Sequence, residues 1–228
     1  MKTVLVAGGA GEVGEGIVRQ LLAAGNRVIV QSRSAAKIAQ LMARLPDASN
    51  VVMQVSDIAS EGDVTAMRDS ITGKGYELDS VVASVGSWWS GPNLVDLDTA
   101  TFRSVMDERL MTHFYLAKVF LPLLAGRGGS SYVFIHSGAG FAAIPGSGPV
   151  SIAGAAQSMM KDVFAVENPN QRISQLTMMG SIGTRSFPAS DPEALTNDDV
   201  GRYVAWLVSD EGVAGSIRFT HRRELPTA

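Results

Sequence analysis

One stretch limits the fold more than any other. Thr3-Val4-Leu5-Val6-Ala7 is a nearly all-apolar run of strand length, and Gly8-Gly9-Ala10-Gly11-Glu12-Val13-Gly14 follows it directly. A continuous apolar strand must be covered on both faces, which points to a parallel sheet between helix layers. The segment after the glycines, Val13–Ala24, carries Val13, Ile17 and Leu21 on one helical face and is stopped by Gly25-Asn26. The same alternation continues along the chain. Further strands are expected at Arg27–Ser32, Val51–Val55, Leu78–Val85, Ser131–His136, Arg172–Met178 and Ser216–Phe219. Helices are expected between them, among them one long helix over Thr99–Leu124 and one over Val150–Val166. The expected fold is therefore α/β: a Rossmann-like, doubly wound parallel sheet of about seven strands in one domain over residues 1–228.

Composition excludes several classes of function. The 228 residues are 46% hydrophobic and 18% charged, enough apolar surface to build a core. The net charge is −3, with no basic arm, so nucleic acid and anionic membranes are poor partners. There is no cysteine, which removes disulfides, thiolate nucleophiles and cysteine metal sites and fits a reducing, cytoplasmic setting. The three histidines, His113, His136 and His221, are too spread in sequence to suggest a metal site. Val4–Ala7 is too short for a signal-peptide core, and no run approaches the ~20 apolar residues of a membrane span.

Gly8, Gly11 and Gly14 recur every third residue. After a first strand, such a turn brings backbone N–H groups to a pyrophosphate at a helix N-terminus, where Gly11, Glu12, Val13 and Gly14 would line it. A tight structural turn is the plain alternative. The second strand ends in Ser32-Arg33-Ser34 with Lys37 one turn on, where an acidic residue would select NAD. A guanidinium binds a 2′-phosphate instead, so NADP(H) is the expected cofactor, unless Arg33 is only a solvated charge.

These residues resemble the short-chain dehydrogenase/reductase family over nearly the whole chain. Asp57-Ile58 resembles its adenine-contacting pair, and Val82-Ala83-Ser84-Val85-Gly86 its Asn-Asn-Ala-Gly segment. Ser137, at the end of Val133-Phe134-Ile135-His136-Ser137, resembles the catalytic serine. Ile182-Gly183-Thr184 resembles the Ile-x-Thr that contacts the nicotinamide carboxamide. The resemblance implies an oxidoreductase acting on a small carbonyl, alcohol or enone. It departs where the proton is moved: Val150 stands at the family's tyrosine position, Gly154 at its lysine, Arg109 at its helix asparagine, and Met179-Gly180 replaces Pro-Gly.

Arg109 and His113 lie four apart and share a helix face. Arg109 can clamp an anionic substrate or cofactor phosphate, or fill the missing lysine's space beside Asp107 or Glu108. His113 can act as general acid near neutral pH, or it can be a packed histidine. Ser137 can orient a carbonyl oxygen or merely start a turn. Trp88-Trp89 suggest a hydrophobic or aromatic small-molecule substrate, or a subunit contact. Phe114, Leu116, Val119 and Phe120, with Met159, Met160, Val163 and Phe164, give the two long helices a second apolar face, which suggests a homodimer or homotetramer. The loops Ser137–Pro149 and Ser186–Asn197 look like active-site loops, one of them a lid. Two rival functions remain: a degenerate enzyme that senses NADPH or regulates a partner, and a non-redox cyclase or isomerase.

Overall fold

The structure, a computed structural model, describes residues 1–224. Strand β1 (Thr3–Ala7) leads into helix α1 (Glu12–Ala23), and β2 (Arg27–Ser32) into α2 (Ala35–Met42). Next come β3 (Val51–Val55), α3 (Glu61–Gly73) and β4 (Ser80–Ala83). Helices α4 (Thr99–Met106) and α5 (Thr112–Leu124) then precede β5 (Ser131–Ser137). The chain continues through α6 (Gly148–Glu167), β6 (Arg172–Met178), the short strands β7 (Ile182–Gly183) and β8 (Leu195–Thr196), α7 (Asn197–Val208) and β9 (Gly215–Phe219). Seven strands form one parallel sheet in the order β3-β2-β1-β4-β5-β6-β9, while β7 and β8 pair separately. Among the described residues, no helix is long and apolar enough to cross a membrane.

Side chains alternate along each strand and feed two apolar layers. Val4, Val6, Val28, Val30 and Val82 pack on one face with Ile17 and Leu21 of α1 and Val204 and Leu207 of α7. Leu5, Ala7, Ile29, Val81 and Ala83 pack on the other with Val64 and Ile71 of α3 and Leu116 and Phe120 of α5. Val4, Leu5 and Val6 are wholly buried. Burial of each stabilises by roughly 1.5–3 kcal/mol, so the strand that presents the glycine turn is firmly held.

Three expectations need correction. Thr99–Leu124 is not one regular helix, because Asp107–Met111 forms a single π turn between α4 and α5. There the Thr112 hydroxyl donates to the Glu108 carbonyl at 2.6 Å, competing with the backbone ladder. The second apolar face is also narrower than expected: Leu116, Val119 and Phe120 are buried within this chain, and Met160 and Phe164 pack against its core. What remains exposed is a patch on α6 of Met159, Val163 and Val166. Helix α6 begins at Gly148, earlier than expected, with Pro149 in its first turn, where a missing N–H costs nothing.

Candidate functional site

The strand order puts β1 between β2 and β4, so the connections leaving the ends of β1 and β4 diverge to opposite faces and open a crevice. The glycine turn and the Ser84–Gly86 segment meet there. Gly8 has a φ of +74°, and a Cβ on it would strike the Ser84 carbonyl. A Cβ on Gly14 would lie 2.8 Å from the Gly9 Cα, so only glycine lets α1 start this close to the turn. Gln31, buried in β2, fixes the turn from below: its Oε1 accepts from the Gly8 N–H at 2.9 Å and its Nε2 donates to the Ser56 carbonyl at 2.8 Å. The sequence reading missed Gln31, although a lone amide in an apolar strand was a visible signal.

Helix α1 has no side-chain cap, and the N–H groups of Glu12, Val13 and Gly14 find no partner among the described residues. Donors left open at a helix start suit an anionic group such as a diphosphate. At the end of β2, Ser32 Oγ accepts from the Ser34 N–H at 3.2 Å, and Ser34 caps α2 by accepting from the Lys37 N–H at 3.3 Å. Arg33 and Lys37 are exposed, and neither has an ion pair among the described residues. One oxygen of Asp57 accepts from the N–H groups of Ile58 and Ala59, at 2.7 and 3.2 Å. Open amides, a free guanidinium and a carboxylate oxygen left over thus fit a phosphorylated dinucleotide laid across the crevice.

The connection after β7 is tied to this cradle. Glu12 accepts from Ser186 Oγ at 2.8 Å and from the Ser186 N–H at 3.2 Å, and pairs with Arg185 at 3.2 Å. Partial burial raises the Glu12 pKa, but the Ser186 hydrogen bonds and Arg185 outweigh it, and the net shift is down. Thr184 closes a turn with Phe187, accepting from its N–H at 3.2 Å and donating its own N–H to the Phe187 carbonyl at 2.9 Å.

The far end of the crevice is more crowded than the sequence suggests. Ser137 Oγ accepts from the Ala139 N–H at 3.2 Å and so starts a 3₁₀ turn over Gly138–Phe141; its own proton remains free to donate. Val150 is 1% exposed and packs with Val105, Ala139, Trp89 and Ile144. Gly154 lies against Gly140, where a Cβ would sit 2.7 Å from the Gly140 Cα. The tyrosine and lysine positions are therefore occupied by apolar packing and by a close backbone approach. His136 Nε2 donates to the Gly154 carbonyl at 2.7 Å, which binds the strand end to α6.

His113 does not fit the expected role of general acid. It is 1% exposed, its ring stacks on Phe134, and its Nε2 donates to the Val85 carbonyl at 3.3 Å. Burial pushes its pKa down to about 3, so the imidazole is neutral near pH 7, and its remaining N–H, committed to Val85, is too weakly acidic to act as a general acid. Arg109 is also buried, at 8% exposed. It pairs with neither Asp107 nor Glu108; one of its terminal nitrogens donates to the Ser87 carbonyl. The Glu108 carboxylate accepts instead from Ser87 Oγ at 2.8 Å. Gln157 Nε2 donates to the Arg109 carbonyl at 2.5 Å and braces the π turn. Trp88 is exposed, whereas Trp89 is half-buried against Val150. No group of three His, Asp or Glu side chains placed to hold a metal ion occurs among the described residues.

A family model described as short chain dehydrogenase matches residues 2–187. The chain is 30% identical over 145 residues to a cis-2,3-dihydrobiphenyl-2,3-diol dehydrogenase of Paraburkholderia xenovorans, covering 61% of this chain and 51% of that protein. It is 26% identical over 139 residues to an NADPH-dependent pterin aldehyde reductase of Arabidopsis thaliana, covering 61% and 57%. The matches thus span little more than half the length of these curated relatives. Among solved structures, an alcohol dehydrogenase from Thermococcus sibiricus complexed with 5-hydroxy-NADP superposes with a TM-score of 0.83 at 20% identity over all of both chains. A dehydrogenase/reductase from Sinorhizobium meliloti gives 0.83 at 22% identity, over 96% of this chain and 93% of that one. With the crevice described above and a family match over most of its length, this chain belongs to the short-chain dehydrogenase family.

Proposed function

We propose that the chain is an NADP(H)-dependent oxidoreductase that acts on a small carbonyl, alcohol or enone. The observation that carries this reading is the uncapped start of α1, with three N–H groups that have no partner among the described residues, at the switch point of the sheet. Gly11, Glu12, Val13 and Gly14 hold the diphosphate. Arg33, helped by Ser32 and Ser34, binds the 2′-phosphate, which supports NADP(H) over NAD(H). Asp57 and Ile58 flank the adenine, Ala83–Gly86 floor the crevice, and Thr184 meets the nicotinamide amide. The bound cofactor supplies or accepts the hydride.

Ser137 hydrogen-bonds the substrate oxygen through its free hydroxyl and holds the carbonyl in line, without giving up the proton. No acid replaces the family's tyrosine, since Val150 has no proton to give, His113 is neutral and buried, and an arginine does not release one. The proton therefore comes from water. The exposed α6 patch pairs with a second copy; sedimentation showing only a 24.0 kDa species removes that part.

The packing of Val150 and Gly154 favours a second reading, a dinucleotide-binding regulator without turnover. Absorbance at the NADPH band during incubation with a panel of aldehydes, ketones and enones separates the two. The oxidoreductase reading expects steady consumption with at least one compound and a loss of ~10–100-fold in Ser137→Ala, the scale of one hydrogen bond to a charged oxygen. Tight NADPH binding with no consumption across the panel selects the regulator.

A further inference from the structure

The guanidinium of Arg109 is left out of balance among the described residues. It is more than nine-tenths buried, and no carboxylate among the described residues pairs with it. Of its three nitrogens, only Nη1 is used, on the Ser87 carbonyl. Nε has no hydrogen-bond partner and is buried. The nearby charge of Glu108 favours it only through space and does not outweigh burial. Glu108, the adjacent carboxylate, is exposed and held by Ser87 Oγ. His113 and His136, the two imidazoles close enough to feel the charge, are held neutral by burial and by Arg109 itself. An ion left unpaired in a desolvated place costs several kcal/mol, and an anion arriving there would offset that cost.

Its position says where. The guanidinium lies against Gly86, with Cζ 3.7 Å from where a Cβ would stand. That is the carboxyl end of β4, on one wall of the switch-point crevice. The diphosphate cradle on α1 is a separate set of donors, so the arginine is not needed there.

Its open edge says what. Nε and Nη2 form the side of the fork that takes a planar carboxylate through two parallel bonds. The same edge of Arg44 does this elsewhere in the chain, with Nε 3.1 Å and Nη2 2.7 Å from the two oxygens of Glu15. The residues that follow Ser87 are Trp88, which is exposed, and Trp89, which is half-buried against Val150, so aromatic side chains lie next in the chain to the guanidinium's one partner.

We infer that Arg109 is the anchor for a carboxylate on the substrate, so that this crevice takes small apolar or aromatic carboxylic acids bearing the reacting oxygen. The inference rests on the oxidoreductase reading for the reaction but not for the binding. Arg109 acts by binding and orienting; it takes no part in proton transfer. Because Nε is out of contact with solvent, entry needs the Ser87–Gly91 loop to lift from its two ties to the Gly146-Ser147 turn, a 2.8 Å and a 3.2 Å hydrogen bond.

Benzoate and its uncharged analogue benzamide test this by calorimetry on the full chain, with and without NADPH. The expected result is benzoate binding ~10–100-fold tighter than benzamide, the range of a charge-assisted pair. Arg109→Met should lose that preference while keeping its affinity for NADPH within about threefold. Equal binding of the two probes, binding of neither, or undiminished benzoate affinity in Arg109→Met overturns the proposal. So does a variant that loses NADPH instead, since the guanidinium then serves the cofactor. If Arg109→Met does not fold, Arg109→Gln stands in, and the benzoate-to-benzamide ratio of the native chain still decides. Native chain that binds benzoate but no dinucleotide would sink the oxidoreductase reading and leave the carboxylate site standing.

Discussion

At the scale of single residues, the site is defined as much by what is missing as by what is present. Gly154 shows this best. The position where a lysine would reach into the crevice is pressed against Gly140, and the His136 ring lies on the same contact, with its Cε1 2.7 Å from a Cβ placed on Gly140. A side chain there must push the 3₁₀ turn away from α6. Gly154→Ala is expected to destabilise by about 1–3 kcal/mol, as overpacking usually does, and Gly154→Lys by no less. Thermal melts of the two variants check this; a melting temperature equal to the native one would show that the turn gives way freely. Putting tyrosine and lysine back at 150 and 154 is therefore no clean gain-of-function test. The fate of Arg109 was equally hidden. Its sequence neighbours Asp107 and Glu108 look like partners, but the π turn sends it to Gly86 and Ser87 on another element. His113 read as a titrating group because its burial under Val85 and Phe134 depends on contacts far away in sequence.

At the scale of elements, helix α1 does most of the organising. Its first turn offers open donors to the crevice, and its middle is clamped from three sides. Glu15 is buried and accepts from both Nε and Nη2 of Arg44, just beyond α2, with Arg19 at 3.1 Å and Arg185 at 3.9 Å completing the set. The Arg44 hydrogen bonds, with some help from its charge, overcome burial and hold the Glu15 carboxyl below its ordinary value of 4.5. The stability this gives is fully present above pH 4.5 and fades as the pH falls through the lower folded value. Denaturant unfolding from pH 7 to pH 3 should therefore show a drop on the acid side that is shallower in Glu15→Gln, which is also less stable at pH 7. Equal acid slopes for the two proteins would exclude Glu15 as the linked group. The strands and α1, α2 and α3 were legible in the sequence because each is an apolar run or stripe bounded by glycine, a cap or a charge. Ser34 caps α2 and so fixes where that helix starts. The π turn was not legible, since one extra residue in a helical turn leaves the apolar spacing on either side intact.

At the scale of the whole molecule, sequence and structure agree most closely. Alternating strands and helices implied a parallel sheet of about seven strands, and the seven-stranded order β3-β2-β1-β4-β5-β6-β9 places the glycine turn where the strand order reverses along the sheet. What the sequence could not supply were contacts between distant segments, such as Glu12 with Ser186 across the mouth of the cradle. These depend on the folded path of the chain and leave no periodic trace. All of the chemistry proposed here presupposes that the crevice beside β1 holds a phosphorylated dinucleotide. Isothermal titration of the chain with NADPH and with NADH tests that most directly. The account predicts heat with both, NADPH at least ~10-fold tighter, and a preference that vanishes in Arg33→Ala. Absence of heat with either dinucleotide would contradict it.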